Sequence, residues 1–253
     1  MKQKYGPWAV VAGASEGIGA AFARALAERG FDLILVARRR QPLEDLAATL
    51  KTTTIPVAAD LADGIDPVKT AAEGKEIGLV VANAAYSPIG SFVDQDPEKT
   101  TRALDLNCRA PLLLAHAFLP AMVQRGRGGF ILMSSLAGMQ GSPRIATYAG
   151  TKAFGAVFAE SLWAELRGTG VDVLGCVAGA VATPGLAATK ARRAPGTRTP
   201  EQVVASALRA LGRGPRVVPG PLMRVSSTVM SRLLPRRTAI ALIDRASRDL
   251  AGN

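Results

Sequence analysis

The chain has 253 residues, 48% of them hydrophobic, and its 31 Lys and Arg residues exceed its 20 Asp and Glu residues by 11. This composition supports a large buried core and excludes a disordered chain. The chain contains two cysteines, Cys108 and Cys176, and one histidine, His116. Their number and spacing exclude a disulfide scaffold and a zinc site. We therefore predict one domain without a metal, in a reducing, cytoplasmic compartment.

Short runs of Val, Ile and Leu alternate along the chain with longer, Ala-rich amphipathic segments, which is typical of repeated βαβ units. Seven strands are predicted at Ala9 to Ala12, Asp32 to Val36, Ile55 to Ala59, Leu79 to Ala82, Phe130 to Met133, Val171 to Val177 and Arg216 to Val218. Helical periodicity is clearest at Ile18 to Arg29, Leu43 to Leu50, Thr101 to Val123, Thr147 to Arg167 and Pro200 to Leu211. The pattern predicts an α/β fold with a doubly wound parallel sheet and helices on both faces.

A glycine-rich turn follows the first strand, with the sequence Gly13-Ala14-Ser15-Glu16-Gly17-Ile18-Gly19. Glycines there let backbone N–H groups approach a pyrophosphate at the positive end of the next helix. The alternative is a tight connection that binds no ligand. The second strand ends at Ala37 and is followed by Arg38-Arg39-Arg40, where a dinucleotide fold would meet the adenosine ribose. Arginine attracts the 2′-phosphate of NADP, unless the run is a solvated basic loop.

The longest apolar stretch, Pro111 to Met122, is about half the roughly 20 residues that a bilayer span needs. The N-terminus also has no separate apolar stretch with a cleavage site, so we expect neither a membrane span nor secretion. The basic charge balance suits nucleic acid, an anionic membrane or an anionic ligand. An aromatic content of 5% and the lack of a long Lys/Arg run argue against nucleic acid.

Tyr148 and Lys152 are four residues apart in a predicted helix and so share one helical face. An ammonium group beside a tyrosine favours phenolate and lowers the pKa of the hydroxyl, which prepares it for acid–base chemistry. For this spacing alone, an exposed pair on a helix surface is the alternative.

From about Trp8 to Leu211 the chain resembles the short-chain dehydrogenase/reductase family. The motifs that carry the resemblance are the turn Ala12 to Gly19, Asp60 after the third strand, Asn83 in Ala82-Asn83-Ala84-Ala85, Asn107, Ser135 thirteen residues before Tyr148, the Tyr148/Lys152 pair, and Ala178 to Thr183. The resemblance implies a single-domain Rossmann fold with seven strands. In the family pattern Ala12, Ala82, Ala85 and Ala178 replace residues that shape turns or tie strands. Ala37 replaces the acid of NAD-using relatives, and Arg38 matches an arginine that marks NADP use.

The resemblance also implies a site. Its catalytic residues are Asn107, Ser135, Tyr148 and Lys152, and its cofactor-binding residues are Gly13, Ser15, Gly17, Ile18, Gly19, Arg38, Asp60, Leu61, Asn83, Tyr148, Lys152, Val181 and Thr183. By this resemblance, Tyr148 would donate a proton to the substrate and Ser135 would bind the carbonyl oxygen. Lys152 would hold the nicotinamide ribose. Asn107 would connect Lys152 to solvent through a water molecule, unless it only shapes a helix kink.

These observations predict an NADP(H)-dependent oxidoreductase that interconverts a ketone and a secondary alcohol. The substrate would be a small apolar molecule, and Met139, Leu186 and Met223 are candidate lining residues. The alternative is a non-catalytic NADP(H)-binding sensor or scaffold. By family resemblance, Thr101 to Val123 and Thr147 to Arg167 would form the contact of a homodimer or homotetramer.

Two C-terminal regions interrupt the βα alternation. Residues 184–199, rich in Gly, Pro and Ala, are predicted to form a lid over the substrate. Residues 221–253 form a basic extension with one apolar stripe at Leu222, Val225, Val229 and Leu233 and another at Ile240, Ile243 and Ala246. We expect this extension to pack over the pocket or against a second subunit, with contact to a membrane surface as the less favoured alternative.

Overall fold

The computed structural model describes residues 1–187 and 196–247. Seven parallel strands form one sheet in the order β3-β2-β1-β4-β5-β6-β7. The strands are β1 Trp8–Ala12, β2 Asp32–Ala37, β3 Thr54–Ala58, β4 Ile77–Ala82, β5 Gly128–Ser135, β6 Val171–Ala178 and β7 Arg216–Val217. The predicted seven-stranded, doubly wound parallel sheet is therefore confirmed.

Eleven α-helices surround the sheet within the described residues. They are α1 Lys2–Tyr5, α2 Gly17–Ala27, α3 Arg40–Thr49, α4 Asp66–Ala72, α5 Pro97–Leu104, α6 Ala110–Arg125, α7 Ala146–Glu165, α8 Pro184–Ala187, α9 Pro200–Ala210, α10 Pro221–Thr228 and α11 Arg236–Ser247. A π-turn, Asp105–Arg109, joins α5 to α6, and a second, Val229–Leu233, follows α10.

The sheet buries both of its faces, which is why its strands read as nearly continuous apolar runs. In β2, Leu33 and Leu35 join a core cluster shared with α2, α3 and α9, while Ile34 and Val36 join one shared with α4, α6 and α7. Alternate side chains of a strand point to opposite faces. The sheet therefore packs against one layer of helices on each of its two faces.

The structure differs from the predicted elements mainly at helix starts. The predicted helix at Thr101 begins at Pro97, where the Asp96 carboxylate accepts a hydrogen bond from the Glu98 N–H at 2.9 Å. The short helices α1 and α4 were not predicted, since four and seven residues are too few to establish a 3.6-residue period.

The helical run from Pro97 to Arg125 has 29 residues and a mean hydropathy of 1.3 over its most apolar window, so by length and composition it could cross a bilayer. Half of that window is buried inside the molecule. Leu114 and Met122, for example, belong to the core beneath the sheet. Because core helices meet the same criterion, this run is weak evidence for a membrane span.

The order of strands reverses between β1 and β4, which lie side by side although β2 and β3 separate them in sequence. The connections that follow these two strands leave the sheet in opposite directions. They open a crevice at the carboxyl ends of the strands, where open α/β sheets bind ligands.

Candidate active site

A cleft of about 860 Å³ opens at this crevice and extends beneath α10 and α11. Most residues of the predicted site line it: Gly13, Ser15, Gly17, Ile18, Arg38, Asp60, Leu61, Asn83, Ser135, Tyr148, Lys152, Val181 and Thr183. The predicted residues Gly19 and Asn107 do not line it. The candidate substrate-lining residues Met139, Leu186 and Met223 do.

The glycine-rich turn sits tightly against the end of β4. Gly13 has φ 76°, and a Cβ there would lie 2.8 Å from the Ala84 Cα. A Cβ on Gly19 would lie inside van der Waals contact of the Gly13 carbonyl oxygen, so Gly19 allows α2 to pack on the turn rather than touching a ligand. The Asn83 amide donates hydrogen bonds to the carbonyls of Ala12 at 3.3 Å and Gly13 at 3.1 Å. Asn83 therefore holds the turn in place.

Charged residues form the outer end of the cleft. Arg39 forms an ion pair with Glu16 at 2.6 Å, so these two charges largely neutralise each other. Arg38 is 65% exposed at its side chain, and its Nε lies 3.8 Å from an Asp60 carboxylate oxygen. Arg102, which no sequence motif singled out, binds the same oxygen at 2.5 Å. Arg38 is therefore a lightly engaged cation at the mouth of the cleft.

The charge of Asp60 is retained at the edge of the cleft. Burial alone raises the pKa of this carboxyl group, but the hydrogen bond from the Ala62 N–H and the charges of Arg102 and Arg38 together hold it below its usual value. Asp60 Oδ1 accepts the Ala62 bond at 2.9 Å. Asp60 therefore stays ionised and fixes the loop after β3.

Ser135, Tyr148 and Lys152 meet at the inner end of the cleft. Ser135 ends β5, and its hydroxyl lies near that of Tyr148 and accepts a bond from the Ala137 N–H at 3.2 Å. Lys152 lies one turn after Tyr148 on α7, with its Nζ 5.5 Å from the centre of the tyrosine ring. The two hydroxyls can therefore face one carbonyl oxygen in the cleft.

The protonation of Tyr148 differs from the sequence-based expectation. Burial raises the pKa of Tyr148, and the nearby Ser135 hydroxyl is the group that lowers it. Lys152 is not among the groups that lower the pKa of Tyr148. Its ammonium group donates to the Met133 carbonyl at 2.9 Å, and burial lowers the pKa of Lys152 to about 8. Tyr148 is thus a protonated acid at neutral pH.

Asn107 lies behind the cleft in the π-turn between α5 and α6. Its amide donates to the Tyr86 carbonyl at 2.8 Å and to Thr151 Oγ1 at 2.9 Å, and its oxygen accepts from the Tyr86 N–H at 2.8 Å. Thr151 is the neighbour of Lys152 in sequence. Sequence reasoning missed Tyr86 and Thr151, because only the folded chain brings them to Asn107.

The C-terminal extension covers the inner end of the cleft. Met223, Ser226, Ser227 and Met230 of α10 and the following π-turn line the cavity, as does Ile243 of α11. Met223 approaches the backbone closely at Gly179, where a Cβ would lie 2.8 Å from the Met223 sulfur. The expectation that the extension packs over the pocket therefore agrees with its described part. Residues 188–195 of the predicted lid and 248–253 of the extension lie outside the described residues, as does the Ala246 side chain.

One of the two apolar stripes of the extension lies away from the pocket. Leu222, Val225, Val229 and Leu233 do not face the pocket but are exposed. The residues beside them repeat at the same helical spacing and occupy the inner side. A hydrophobic pattern alone cannot show which of two such faces turns inward.

Comparisons with known proteins agree with this geometry. The family described as short chain dehydrogenase matches residues 7–194. The very-long-chain 3-oxoacyl-CoA reductase of Phaeosphaeria nodorum is 34% identical over 221 residues, 82% of this chain and 64% of its own. The human inactive hydroxysteroid dehydrogenase-like protein 1 is 33% identical over 190 residues, 72% and 58% of the two chains. This chain thus spans less than two thirds of the length of both relatives.

Other relatives match over nearly their whole length. The 7β-hydroxysteroid dehydrogenase of Clostridium sardiniense is 32% identical over 233 residues, which cover 88% of this chain and 89% of its own. A solved structure from work on 7β-hydroxysteroid dehydrogenase stereoselectivity superposes with a TM-score of 0.90 at 28% identity, covering 96% and 98% of the chains. A short-chain dehydrogenase from Sphingobium yanoikuyae in complex with NADPH gives 0.78 at 29% identity, covering 90% and 96%. The chain therefore belongs to the short chain dehydrogenase family.

Proposed function

We propose that this protein is an NADP(H)-dependent oxidoreductase that interconverts a ketone and a secondary alcohol. The observation that carries the proposal is the meeting of Ser135, Tyr148 and Lys152 in the same cleft as the glycine-rich turn. Two hydroxyl groups directed at one point can bind and protonate a carbonyl oxygen, provided that a reductant lies beside it.

The outer part of the cleft fits a phosphorylated dinucleotide. Gly13 and Gly17 leave the backbone open at the start of α2, where N–H groups and the helix dipole favour a pyrophosphate. Ala37 provides no carboxylate to repel a 2′-phosphate, and Arg38 provides a cation at the rim. The NADPH complex of the Sphingobium relative supports the same choice. Bound NADPH would supply the hydride.

The side chains of this chain would then bind the substrate and transfer the proton. The Ser135 hydroxyl would donate a hydrogen bond to the carbonyl oxygen, and the protonated Tyr148 would donate its proton as charge develops there. Lys152 would hold the nicotinamide ribose with its ammonium group. Asn107 would orient the backbone of Tyr86 and the turn of α7 beneath Lys152, and so serve as a positioning residue.

The inner part of the cleft favours a bulky apolar substrate. Its walls include Met139, Leu186, Met223, Met230 and Ile243, and methionines adapt to irregular apolar shapes. A hydroxysteroid dehydrogenase and a very-long-chain 3-oxoacyl-CoA reductase are among the relatives. We therefore propose ketones with a large hydrocarbon body, rather than small polar ketones, as the substrate class.

The test is a panel of bulky and small ketones and alcohols, with NADPH oxidation or NADP reduction as the readout. Tyr148→Phe should lower the rate on any accepted substrate by about 100-fold or more, the typical contribution of a positioned general acid. Because the hydroxyl is the only group removed, the melting temperature and NADPH affinity should remain close to those of the wild type.

One relative bears the name inactive. The panel must therefore also detect a protein that binds NADPH but converts no substrate. NADPH binding without turnover of any substrate would favour the sensor or scaffold alternative. Equal turnover by wild type and Tyr148→Phe would remove the tyrosine from the mechanism and leave the enzyme class standing.

A further inference from the structure

The segment that roofs the cleft, α10 with its following π-turn, has two apolar faces. Its inner face lines the cavity with Met223, Met230 and the two serines between them. Its outer face consists of Leu222, Val225, Val229 and Leu233, and we call these four residues the outer stripe. Leu222 is 54% exposed and Leu233 is 71% exposed. Contiguous exposed apolar residues beside a ligand cavity mark an interaction surface.

The surroundings of the outer stripe are strongly basic. The segment from residue 221 to 247 contains five arginines and one acidic residue, Asp244. That carboxylate already forms an ion pair with Arg144 at 2.7 Å. The five arginines are all exposed and are Arg224, Arg232, Arg236, Arg237 and Arg245. The partner of this face should therefore combine an apolar phase with negative charge.

A second copy of the chain fits these charges poorly. In a two-fold symmetric contact the same patch occurs on both sides, so the arginines around the outer stripe would meet arginines. Nucleic acid fits the charge but not the stripe. Leucine and valine have no aromatic ring on which bases can stack, and burying them gains nothing against a phosphate backbone.

From this arrangement we infer that the outer stripe and its arginines dock the protein on an anionic lipid surface. Leu222, Val225 and Leu233 would enter the boundary between headgroups and acyl chains, with the arginines on lipid phosphates and carboxylates. Leu222 also directly precedes Met223, which lines the cavity. The docked face thus adjoins the edge of the apolar cavity, and a membrane-dissolved molecule would have a short path to it.

Vesicle flotation of the full chain tests the inference, and its readout does not depend on turnover. Vesicles of equal parts phosphatidylcholine and phosphatidylserine should carry the protein upward, while pure phosphatidylcholine should not. Replacing both Arg232 and Arg237 with Gln should weaken binding about 25-fold, because each basic residue near an anionic surface contributes about fivefold. Raising the salt concentration should weaken binding in the same direction.

The outer stripe is tested separately by the triple variant Leu222→Ser, Val225→Ser and Leu233→Ser. This variant should lose binding by more than about tenfold, because its apolar anchor is gone. Arg29→Gln with Arg213→Gln is the matched charge control, since both residues are exposed at the amino ends of the strands. Val93→Ser, at an exposed valine outside the extension, is the apolar control. Both controls should bind vesicles like the wild type.

Three results would overturn the inference. One is flotation equal on neutral and anionic vesicles or unchanged in the stripe and arginine variants. The second is loss of a dimer, rather than of flotation, when the stripe is replaced, which would make a second copy the occupant. The third is salt-sensitive binding to a DNA duplex that requires the arginines but not the stripe. Because the arginine variant leaves the stripe intact, it remains informative if the triple variant does not fold.

Discussion

Among single residues, Arg38 determines the proposed cofactor preference. Its only described ion pair, with Asp60 at 3.8 Å, is long, and Arg102 already binds the same carboxylate oxygen. A phosphate can therefore compete for Arg38 at little cost. Arg39 is held by Glu16 and is less available.

Arg38→Ala should weaken NADPH binding by roughly tenfold to a hundredfold, the usual range for losing a hydrogen bond to a charged group. NADH, which lacks the 2′-phosphate, should bind nearly as before. Titration of both cofactors by nicotinamide fluorescence measures the change. Arg40→Ala removes a neighbouring arginine that pairs with Glu44 outside the cleft, and it serves as the control. Equal losses for the two cofactors would count against the assignment.

Lys152 should make stability depend on pH. Burial lowers the pKa of Lys152 to about 8 from an ordinary value of 10.5, so between these values the unfolded chain binds more protons than the folded one. The free energy of unfolding of the wild type, relative to Lys152→Met, should therefore rise as the pH rises through this window, by up to about 3 kcal/mol. Urea unfolding of both proteins at pH 7 and pH 10 measures the difference. A difference independent of pH would mean that Lys152 titrates normally.

The sequence predicts which residues form the site better than it predicts the contacts that these residues make. Spacing alone placed Tyr148 one helical turn before Lys152, because an α-helix fixes which residues share a face. It could not show that the Lys152 ammonium donates to Met133 or that Arg102 reaches Asp60. Those contacts join residues from separate elements, and only the folded chain determines them.

Among the elements, α11 is held over the cleft by one well-defined ion pair. Arg144 binds Asp244 at 2.7 Å, with both side chains partly exposed, and Arg236 donates to the Met139 carbonyl at 3.0 Å. Arg144 has φ 66°, a conformation that side chains disfavour. The ion pair therefore fixes the extension from a backbone position that is itself constrained.

Asp244→Asn should loosen α11 and raise the KM for a bulky substrate by about two- to fivefold, the scale of a partly exposed ion pair. The Kd for NADPH should not change, because α11 contacts only the inner part of the cleft. Steady-state kinetics together with cofactor titration separates the two. Asp66→Asn breaks an exposed pair with Lys69 on α4 and is the control. An unchanged KM would show that the ion pair between Arg144 and Asp244 does not hold α11 over the cleft.

Helix boundaries were predictable only where the sequence carries a signal for them. Asp96 followed by Pro97 is such a signal, since Asp favours the N-cap and Pro the first turn, and attention to it would have placed the start of α5 correctly. The π-turn at Asp105–Arg109 carries no comparable signal. Its hydrogen bonds skip one residue more than those of an α-helix, and packing around Asn107 selects it.

For the whole molecule, exposed apolar residues on α5 and α7 indicate an interface. Leu104 and Val157 are exposed, and Phe154 stacks on Phe158 with ring centres 5.4 Å apart. We predict that the protein is at least a dimer through these helices, with a mass of twice 26.3 kDa or more. Val157→Arg should dissociate it, since a buried unpaired charge is costly at an interface.

Light scattering coupled to size exclusion at micromolar concentration measures this assembly. Val93→Arg, which places the same charge at a residue 88% exposed in the loop after β4, should leave the mass unchanged. A wild-type particle of a single chain would contradict the prediction, and so would equal behaviour of the two variants.

The π-turn before α6 also constrains the length of the chain. It contains one residue more than the helical turn that it replaces. Deleting one residue from Asp105–Arg109 would restore a regular helix and leave α5 and α6 facing as they do now, because the wide turn absorbs the extra residue. Ala103 would stay buried, but the widened turn that presents Asn107 to Tyr86 and Thr151 would be lost. We therefore expect insertions and deletions among homologues to fall in the exposed loops and to avoid this turn.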